Sequence, residues 1–566
     1  MRLSKTHIGR YLWQDLLLWV VPLLLIIPNV WLDITERYTF LESLTNILLP
    51  GGLYLWLMGL SRNTGRTAVL MLPMYIYAAF QIVLLNLYGE SIIAIDMFLN
   101  VVTTNVGEVS ELLSNLIVAI ITVCVIYLPL LTAGIILWSR RMLVRKEIAS
   151  RARRYGLYLL GAGVISLAAS YIKVPEFKIE RRIFPVNVIS NTISAGERTA
   201  QSNKYHETSA GFRFNATSTH PDSLRELYVL VIGETSRAEN WQLYGYGRAT
   251  NPRLSLRDSL LFFPKTLSQS NTTHKSVPLL LSYVDASEFG DSIYTSKSII
   301  TAFSEAGFRT AYLSNQSRNH SLIDFFAEEA DSTLFLTDDG KHHHDHELLS
   351  ALRHFISTAG PGKIFVILHS YGSHFCYNER YQDIDRHFTP DAPSAASKSN
   401  RPALINAYDN TIVATDRFLD DVIAELDKAG CPAALMYLSD HGEDIFDDSR
   451  GRFLHASPVP TSYQIHVPLL MWFSPSYTAT FPGIYGIAAA NARRNVASNR
   501  VVFDTMLQIG GITTPYADCR RSLTDSTYNE GPRLYLNDYN EAVPLVLSGL
   551  KDIDLMRIEA NNISVN

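Results

Sequence analysis

The first third of the chain is dominated by long apolar segments, whereas the remainder mixes short apolar runs with polar stretches. A helix needs about 20 predominantly apolar residues to cross a bilayer. Segments of roughly that length lie at 13–32, 44–61, 66–88, 116–138 and 155–172. The first one contains Trp19, Pro22 and Trp31 and lacks a small-residue cleavage site, which favours a membrane span over a cleaved signal peptide. We predict a transmembrane domain of five helices over residues 1–172.

Positively charged residues cluster in alternate loops between these segments. Three precede the first segment, and seven lie within residues 140–154, whereas residues 89–115 contain no Lys or Arg. Because Lys and Arg are retained on the cytoplasmic side, this pattern places the N-terminus in the cytoplasm. With five spans, everything after residue 172 lies outside the membrane.

The outer part begins with a mixed connector over residues 173–222, which we interpret as a linker. Its first part, Lys173 to Arg182, is basic and amphipathic, so it either is solvated or lies as a helix on the anionic membrane surface. From residue 223 to 566, apolar runs suited to strands alternate with helical patterns. The runs lie at 227–232, 309–314, 364–369, 434–438 and 468–473, and a long helix is expected from about 403 to 429. This order predicts an α/β domain whose mostly parallel sheet is covered on both faces.

Composition narrows the classes of partner. A net charge of −5 over 566 residues argues against a nucleic-acid partner, which would call for a basic face. Only three of the four cysteines, Cys376, Cys431 and Cys519, fall in the outer domain, so at most one disulfide could form there.

Two of the predicted strands end in residues suited to binding a metal. Glu234 follows the run 227–232 and a glycine, and the pair Asp440 and His441 follows the run 434–438. Ligands of open α/β sheets bind beyond the carboxyl ends of the strands, so these side chains are expected to meet in one crevice. Carboxylate oxygen and imidazole nitrogen suit zinc, although isolated pairs of this kind are more often structural.

A third segment, residues 268–278, runs from polar residues into an apolar helix start. Hydroxyl groups at a helix N-terminus meet unsatisfied N–H groups and a positive dipole, which favour a bound anion. Ser and Thr are also ordinary helix caps at such positions, and this segment alone does not distinguish the two roles.

The order of motifs closely resembles that of the bacterial phosphoethanolamine transferases of the alkaline phosphatase and sulfatase superfamily, which include the lipid A-modifying enzymes that confer polymyxin resistance. The motifs are G-E-T-x-R-A (233–238), L-Y-G-Y-x-R-x-T-N-P (243–252), T-x-x-S-V-P (273–278), L-H-x-x-G-S-H (368–374), N-A-Y-D-N (406–410), S-D-H-G-E (439–443) and L-H-A-S-P (454–458). The resemblance covers essentially the whole chain, because that family also has five spans before a periplasmic domain. It implies an α/β/α sandwich of the alkaline phosphatase/sulfatase type over residues 223–566.

The resemblance also implies the roles of individual residues. The metal ligands carried over to this chain are Glu234, Thr273, Asp440 and His441. Thr273 is then the catalytic nucleophile, because coordination to zinc stabilises the alkoxide of an otherwise weak hydroxyl nucleophile. The residues implied to contact substrate are Asn100, Thr104, Glu108, His374 and His455.

Alternatives remain for these substrate contacts. His374 and His455 either neutralise phosphoryl oxygens, bind an additional zinc ion or satisfy backbone groups near the crevice. His369 and His466 are expected either to support the ligands without touching the metal or to be structural. Asn100, Thr104 and Glu108 recur every four residues, so a helix would stack them on one face, where they either receive an ammonium group or are simply solvated.

The implied activity is transfer of phosphoethanolamine from phosphatidylethanolamine to lipid A, a core sugar or another envelope acceptor, through a phospho-threonine-type covalent intermediate. The implied location is the bacterial inner membrane, with the catalytic domain in the periplasm. The alternative is a glycerol-phosphate transferase of the same superfamily. A non-catalytic membrane sensor or scaffold would tolerate replacement of the ligand positions.

The chain departs from the lipid A enzymes in the nucleophile segment, where Gln269 and Leu279 stand in place of flanking cysteines. A lysine that some members place after the 309–314 strand is also missing, and Arg318 is one candidate to replace it. The histidine-rich run 341–346 resembles a metal cluster, but we interpret it as compositional, with Asp345 capping a helix over about 347–357.

Overall fold

The computed structural model describes residues 5–36, 38–88, 92–96, 117–175 and 177–565. Its residues form two compact units, with a division after Gly196. The first unit contains the apolar segments, and the second contains the predicted α/β domain.

The described secondary structure of the first unit consists of helices. Its helices span Lys5–Leu25, Ile27–Thr35, Phe40–Leu60, Thr64–Leu70, Leu72–Tyr88, Ile117–Ser139 and Lys146–Lys173. Four stretches are long and apolar enough to cross a membrane, namely Leu12–Thr35, Phe40–Leu60, Ala119–Ser139 and Lys146–Lys173. The pair Thr64–Leu70 and Leu72–Asn86, bent by 53°, makes a fifth span if it is counted as one. All five predicted segments therefore coincide with apolar helices.

Glycine allows two of these helices to pack closely. A Cβ atom added to Gly52 in Phe40–Leu60 would lie 2.5 Å from the backbone nitrogen of Leu160 in Lys146–Lys173. A Cβ atom on Gly156 would come equally close to the backbone nitrogen of Trp56. Small residues at such contacts are typical of helices that associate within membranes, where backbone proximity replaces the hydrophobic effect.

The connector is more helical than the sequence pattern indicated. Helices span Ile179–Arg182, Val186–Asn203 and Tyr205–Thr208, and the division between the two units falls inside the second of these. Although the region is polar, much of it therefore forms helices and not an extended linker.

The second unit is built on a seven-stranded mixed sheet. Its strands are β1 (Glu226–Gly233), β2 (Leu260–Phe262), β3 (Arg309–Ser314), β4 (Ser332–Phe335), β5 (Lys363–His369), β6 (Ala433–Ser439) and β7 (Leu469–Phe473). The strand order is β2-β7-β6-β1-β5-β3-β4. The pairs of β1 with β5 and β6, of β3 with β5 and of β3 with β4 are parallel, whereas β7 is antiparallel to both of its neighbours.

The α-helices of this unit connect and cover the strands. They span Thr273–Leu281, Asp291–Thr295, Ile299–Glu305, Leu322–Ala327, Leu348–Thr358, Arg401–Lys428, Ser462–Ile465, Pro475–Thr480, Ile484–Asn491, Ser498–Ile509 and Asp552–Ala560. Short two-stranded sheets pair Thr217–Ser218 with Ile512–Thr513, Thr266–Leu267 with Val496–Ala497, Asp444–Ile445 with Phe453–Leu454, and Leu534–Leu536 with Ala542–Pro544.

The core explains why β1 reads as an unbroken apolar run. Leu230 belongs to a buried cluster that also contains Val277 and Val501, whereas Val229 and Val231, which point to the opposite face, are equally buried. Helices on both faces of the sheet confirm the predicted α/β/α architecture. Two short strands, β2 and β4, were not anticipated from the sequence, and the expected mostly parallel sheet has one antiparallel strand, β7.

Candidate active site

The candidate site lies where β1 and β6 end. The two strands are parallel neighbours, and Gly233 is paired in register with Ser439. The next residues along each strand, Glu234 and Asp440, therefore emerge side by side at the carboxyl edge of the sheet. Thr273 begins the helix Thr273–Leu281 beside this edge.

The four predicted metal ligands come together there. Thr273 Oγ1 lies 3.2 Å from Glu234 Oε1 and 3.1 Å from His441 Nε2. His441 Nε2 lies 3.5 Å from Glu234 Oε1 and 3.3 Å from Asp440 Oδ2. Ligand atoms about 2.0–2.1 Å from a tetrahedral zinc ion are separated from one another by roughly 3.3 Å, so these spacings match the edges of such a tetrahedron.

The hydrogen-bonding state of His441 supports a cation site. Its Nδ1 donates to the carbonyl of Gly442 at 2.9 Å, which leaves the lone pair of Nε2 directed at the cluster. Burial lowers the pKa of His441 well below its ordinary value, and the nearby His455 adds to this shift, so the imidazole is neutral. Buried Asp440 Oδ2 has no hydrogen-bond donor within the described part of the chain. Converging lone pairs on one imidazole and two carboxylates repel one another unless a cation lies between them.

A turn after β1 fixes Glu234. Thr235 has φ of +59°, a left-handed conformation that is unfavourable for a β-branched residue. Its hydroxyl donates to Glu234 Oε1 at 2.7 Å, its N–H donates to Asp440 Oδ1 at 3.2 Å, and its carbonyl accepts from the Tyr408 hydroxyl at 2.8 Å. Strain of about 1–3 kcal/mol at such a position persists only where the surroundings enforce it. The turn thus holds both carboxylates in place.

Two of the sequence motifs, N-A-Y-D-N and L-Y-G-Y-x-R-x-T-N-P, are joined by hydrogen bonds. Asp409 of N-A-Y-D-N accepts hydrogen bonds from Asn240 at 2.6 Å, Tyr246 at 2.9 Å and Arg248 at 2.8 Å. The last two belong to L-Y-G-Y-x-R-x-T-N-P. These contacts tie the segment after β1 to the long helix Arg401–Lys428.

The two further predicted histidines lie near the cluster. The ring of His455 is 4.2 Å from that of His441, and ligand atoms of Glu234, His441 and His455 lie within 4.8 Å of one another. The ring of His374 is 6.2 Å from that of His455. Burial lowers the pKa of His374 well below its ordinary value, so its imidazole is neutral and available as a hydrogen-bond partner.

Glu443 is a functional candidate that we did not single out in the sequence. It is fully buried, its Oε2 lies 3.5 Å from His455 Nδ1, and its other oxygen accepts from the Tyr377 hydroxyl. A carboxylate in this position orients the imidazole ring. The sequence feature that could have identified Glu443 is its position in S-D-H-G-E, two residues after the predicted ligand His441.

His369 and His466 have structural partners, as expected. His369 is buried within β5 with its Nδ1 2.8 Å from the Tyr312 hydroxyl, and burial lowers its pKa to about 3. His466 lies between Glu239 Oε1 at 2.9 Å and the carbonyl of Pro264 at 3.0 Å.

A model of the protein family described as Sulfatase matches residues 226–512, which is more than half of the chain. The chain belongs to the sulfatase family. It is also 31% identical over 303 residues to the phosphoethanolamine transferase EptA of Escherichia coli K12. That match covers 52% of this chain and 54% of EptA, so it spans about half the length of the curated relative.

Solved structures show that this sulfatase-family chain shares its fold with a full-length membrane enzyme and with an isolated periplasmic domain. The integral membrane lipooligosaccharide phosphoethanolamine transferase A from Neisseria meningitidis superimposes with a TM-score of 0.70 at 23% identity, covering 90% of this chain and 97% of that one. The periplasmic domain of EcEptC from E. coli, crystallised as a complex with Zn, gives a TM-score of 0.52 at 22% identity and covers 59% of this chain and 95% of its own.

In this sulfatase-family protein, Gln316 approaches the cluster in place of the absent lysine. Its Nε2 lies 3.4 Å from Glu234 Oε2 and donates to the carbonyl of Ser370 at 2.9 Å. The proposed substitute, Arg318, instead pairs with Asp338 at 3.2 Å and lies over the ring of Phe335. The suggestion that Arg318 replaces the lysine was therefore wrong.

Hydrogen bonds hold the segment of residues 268–278, which contains the predicted nucleophile Thr273. Asn499 accepts from the backbone N–H of Gln269 at 2.7 Å and donates to the Ser276 hydroxyl at 2.8 Å. Ser268 and Ser276 both donate to the carbonyl of Asp440, at 2.7 and 2.6 Å. No disulfide joins any of the four cysteines, all of which lie in the described part of the chain.

The expectation for Asn100, Thr104 and Glu108 falls on residues outside the described ranges. Their proposed contact with substrate stays a prediction.

Proposed function

We propose that this protein is a zinc-dependent phosphoethanolamine transferase. The observation that carries the proposal is the convergence of Glu234, Asp440 and His441 on the hydroxyl of Thr273, at spacings that fit a zinc ion. The names of the relatives support the choice of phosphoethanolamine. The fold of a whole lipooligosaccharide phosphoethanolamine transferase, which matches 90% of this chain, supports it as well.

Zinc would be held by Glu234, Thr273, Asp440 and His441, and when bound it supplies a Lewis acid that favours the threonine alkoxide and polarises a phosphoryl oxygen. The Zn complex of a structural neighbour supports this choice of ion. The chemistry of the donor set supports it as well, since burial raises the pKa of Asp440 and a bound cation would keep this carboxylate ionised.

The proposed reaction comprises two displacements at phosphorus. Thr273 Oγ1 attacks the phosphorus of phosphatidylethanolamine, the bond to the glyceryl oxygen breaks, and diacylglycerol leaves with a proton. The phosphoethanolamine group is then attached to Thr273. A phosphate or hydroxyl oxygen of the acceptor attacks the same phosphorus, and the bond to Thr273 breaks. The Thr273 oxygen then takes up a proton, from the attacking hydroxyl or, where a phosphate attacks, from solvent, which restores the free hydroxyl.

His374 and His455 have a separate role in this scheme. His374 and His455 donate hydrogen bonds to phosphoryl oxygens and offset the charge that accumulates on them. His455 also lies close enough to Glu234 and His441 to be a further candidate zinc ligand, and an additional zinc ion bound through His374 or His455 stays a prediction.

The proposed donor is phosphatidylethanolamine, and the proposed acceptor is lipid A, a core sugar or another glycan of the cell envelope. The apolar helices fit an inner-membrane protein whose catalytic unit lies in the periplasm. Among the relatives named above, the transferred group is phosphoethanolamine, which favours this reaction over glycerol-phosphate transfer.

Mass spectrometry of lipid A and core oligosaccharide tests the proposal. Cells that express the chain should gain a phosphoethanolamine increment, whereas a glycerol-phosphate increment would establish the alternative reaction. We expect Thr273→Ala to reduce transfer by on the order of 10³-fold or more, because the proposed scheme needs the Thr273 hydroxyl to form the covalent intermediate.

The neighbouring Thr272→Ala serves as the matched control, since Thr272 precedes the same helix without capping it through its side chain. It should retain most of the activity. Full transfer by Thr273→Ala would contradict the covalent mechanism and favour a non-catalytic role.

A further inference from the structure

We propose that Asp345, in the middle of the histidine-rich run, is a positioning residue for the metal site. It anchors the β5 loop, defined as residues 370–374, which follows β5 and packs against Glu234. This inference rests on the proposed zinc-dependent transfer, but its main test is zinc binding.

The Asp345 carboxylate accepts hydrogen bonds from three donors outside its own segment. Its Oδ1 accepts from the backbone N–H of Tyr371 at 2.7 Å and from Asn315 Nδ2 at 2.8 Å. Its Oδ2 accepts from the backbone N–H of Gly372 at 2.8 Å. The expected cap of the following helix was therefore wrong: Leu348–Thr358 begins after a short 3₁₀ turn, and Asp345 faces the β5 loop instead. Hydrogen bonds to a carboxylate are about twice as strong as those between neutral groups, so this side chain fixes the peptide groups of Tyr371 and Gly372 in the loop.

The anchored loop lies directly on the backbone of Glu234. Gly372 has φ of +54°, and a Cβ atom on it would lie 2.6 Å from the carbonyl oxygen of Glu234. The next residue, Ser373, donates its N–H to that same carbonyl at 2.9 Å. No gap separates the loop from the ligand-bearing turn, so a shift of the loop displaces Glu234.

The same loop fixes His374. The backbone N–H of His374 donates to the carbonyl of Tyr371 at 3.2 Å, and the two rings stack with their centroids 4.9 Å apart. The Arg380 guanidinium lies over the ring of Tyr371, 4.2 Å from its centroid. By holding the N–H of Tyr371, Asp345 sets the position of this stack and hence of the His374 imidazole.

The neighbouring histidines are engaged in local contacts. His343 lies between Asp339 at 2.9 Å and Glu347 at 2.8 Å, and His342 Nε2 lies 3.0 Å from Arg380. The run therefore contributes to the site directly through Asp345 and, by way of the contact between His342 and Arg380, indirectly through the cation over the Tyr371 ring.

The test compares Asp345→Asn with Asp339→Asn in the full-length protein. Asp339 belongs to the same segment, but its carboxylate contacts only residues of that segment in the described structure. Asparagine at 345 keeps one acceptor oxygen and presents an NH₂ group to a backbone N–H, which weakens the anchor with little change in volume.

We expect Asp345→Asn to weaken zinc binding by about 10- to 100-fold, as is typical when a supporting residue of a metal site is lost. Zinc affinity is measured by competition with a chromophoric chelator. At saturating phosphatidylethanolamine and without added zinc, the kcat of transfer should fall by a similar factor. Excess zinc should restore much of it, while KM for phosphatidylethanolamine changes little. Asp339→Asn should match the wild type in both measurements.

Zinc affinity of Asp345→Asn equal to that of the wild type would overturn the proposal. If this variant melts too low for assay, Asn315→Ala provides the second test, because it removes one partner of Asp345 without changing charge. A several-fold loss of zinc affinity in that variant supports the role, and wild-type affinity overturns it. Zinc binding by a wild-type protein that transfers no phosphoethanolamine would contradict the proposed function separately.

Discussion

At the scale of single residues, the site depends on close approaches that only particular side chains permit. Thr235 is held in a left-handed conformation beside Glu234, and Gly372 contacts the carbonyl of Glu234 so closely that no side chain fits. Each position orients a proposed ligand without binding the metal itself. Substitutions at these two positions should change where the proposed ligands lie while leaving the ligand groups themselves intact.

Gly372→Ala is expected to impair both transfer and stability. The new methyl group would lie 2.6 Å from the Glu234 carbonyl oxygen, so the β5 loop or the ligand-bearing turn must move. The positive φ adds about 1–2 kcal/mol of backbone strain. We expect a fall in transfer of roughly 10-fold or more, since small displacements of positioned groups are costly. Transfer assays and thermal melting of the purified protein check this.

Gly360→Ala is the matched control. Gly360 also has a positive φ, +87°, but a Cβ atom there meets nothing within 4 Å. The control variant should lose stability through strain while keeping wild-type transfer. Equal activity of both variants would show that the contact with Glu234 does not position the site.

At the scale of elements, the helix Ser498–Ile509 supports the nucleophile segment. Asn499 on this helix holds Gln269 and Ser276, and Ser276 in turn donates to the carbonyl of Asp440. The same helix carries Asp504, whose Oδ1 accepts from the backbone N–H of Asp518 at 2.7 Å. Burial raises the pKa of Asp504 from 3.8 to about 7.

This buried acid makes stability depend on pH in a defined direction. Because the pKa is higher in the folded state, the contribution of Asp504 to stability is fully present below about pH 4 and is lost as pH rises through 7. Asp504→Asn keeps an acceptor for Asp518 and removes the ionisation. We expect the variant to gain about 2 kcal/mol relative to the wild type between pH 5 and pH 8, measured by thermal melting at each pH.

The exposed Asp222→Asn variant controls for loss of a charge. Its melting temperature should follow the wild-type pH profile. An Asp504→Asn profile parallel to that of the wild type would mean that Asp504 ionises as readily in the folded protein as in the unfolded one.

At the scale of the whole molecule, the chain consists of two units with separate cores. One core is formed by the apolar helices, and the other surrounds the seven-stranded sheet. The four proposed zinc ligands all belong to the second unit. The lipid substrate of the proposed reaction, in contrast, resides in a membrane.

Residues 197–566 expressed alone are therefore expected to fold and to bind zinc. Circular dichroism should show a cooperative thermal transition, and metal analysis should find zinc at a ratio similar to that of the full chain. Transfer from phosphatidylethanolamine in vesicles should fall by roughly 10²-fold or more, because the reactants are no longer held at one surface. The full chain in detergent is the control, and a fragment without zinc would contradict independent assembly of the site.

The sequence was sufficient where a local pattern reports the structure directly. Apolar length identified all five candidate spans, counting the bent pair as one, and unbroken apolar runs identified the central strands with errors of a residue or so. It was insufficient for β2 and β4, which are short and only partly buried. Such strands carry little periodic signal because their side chains are not sorted between core and solvent.

For the site, residue chemistry at strand ends indicated Glu234, Asp440 and His441, while the resemblance supplied Thr273. The contacts of Gln316, Glu443 and Asp345 became apparent only from the fold. Gln316 is 82 positions from Glu234 along the chain, and Asp345 is 26 from Tyr371. Their roles follow from which loops meet at the carboxyl edge of the sheet.

The sequence by itself therefore determined the two-part organisation, the strand order along the chain and the set of residues able to bind a dication, because hydrophobic burial and ligand chemistry are properties of local composition. The tertiary structure alone decided which atoms converge within 3.5 Å, that Gln316 rather than Arg318 reaches Glu234, and that Asp345 anchors the β5 loop. Those outcomes depend on strand register and loop packing, which bring together segments that carry no mutual signal along the chain.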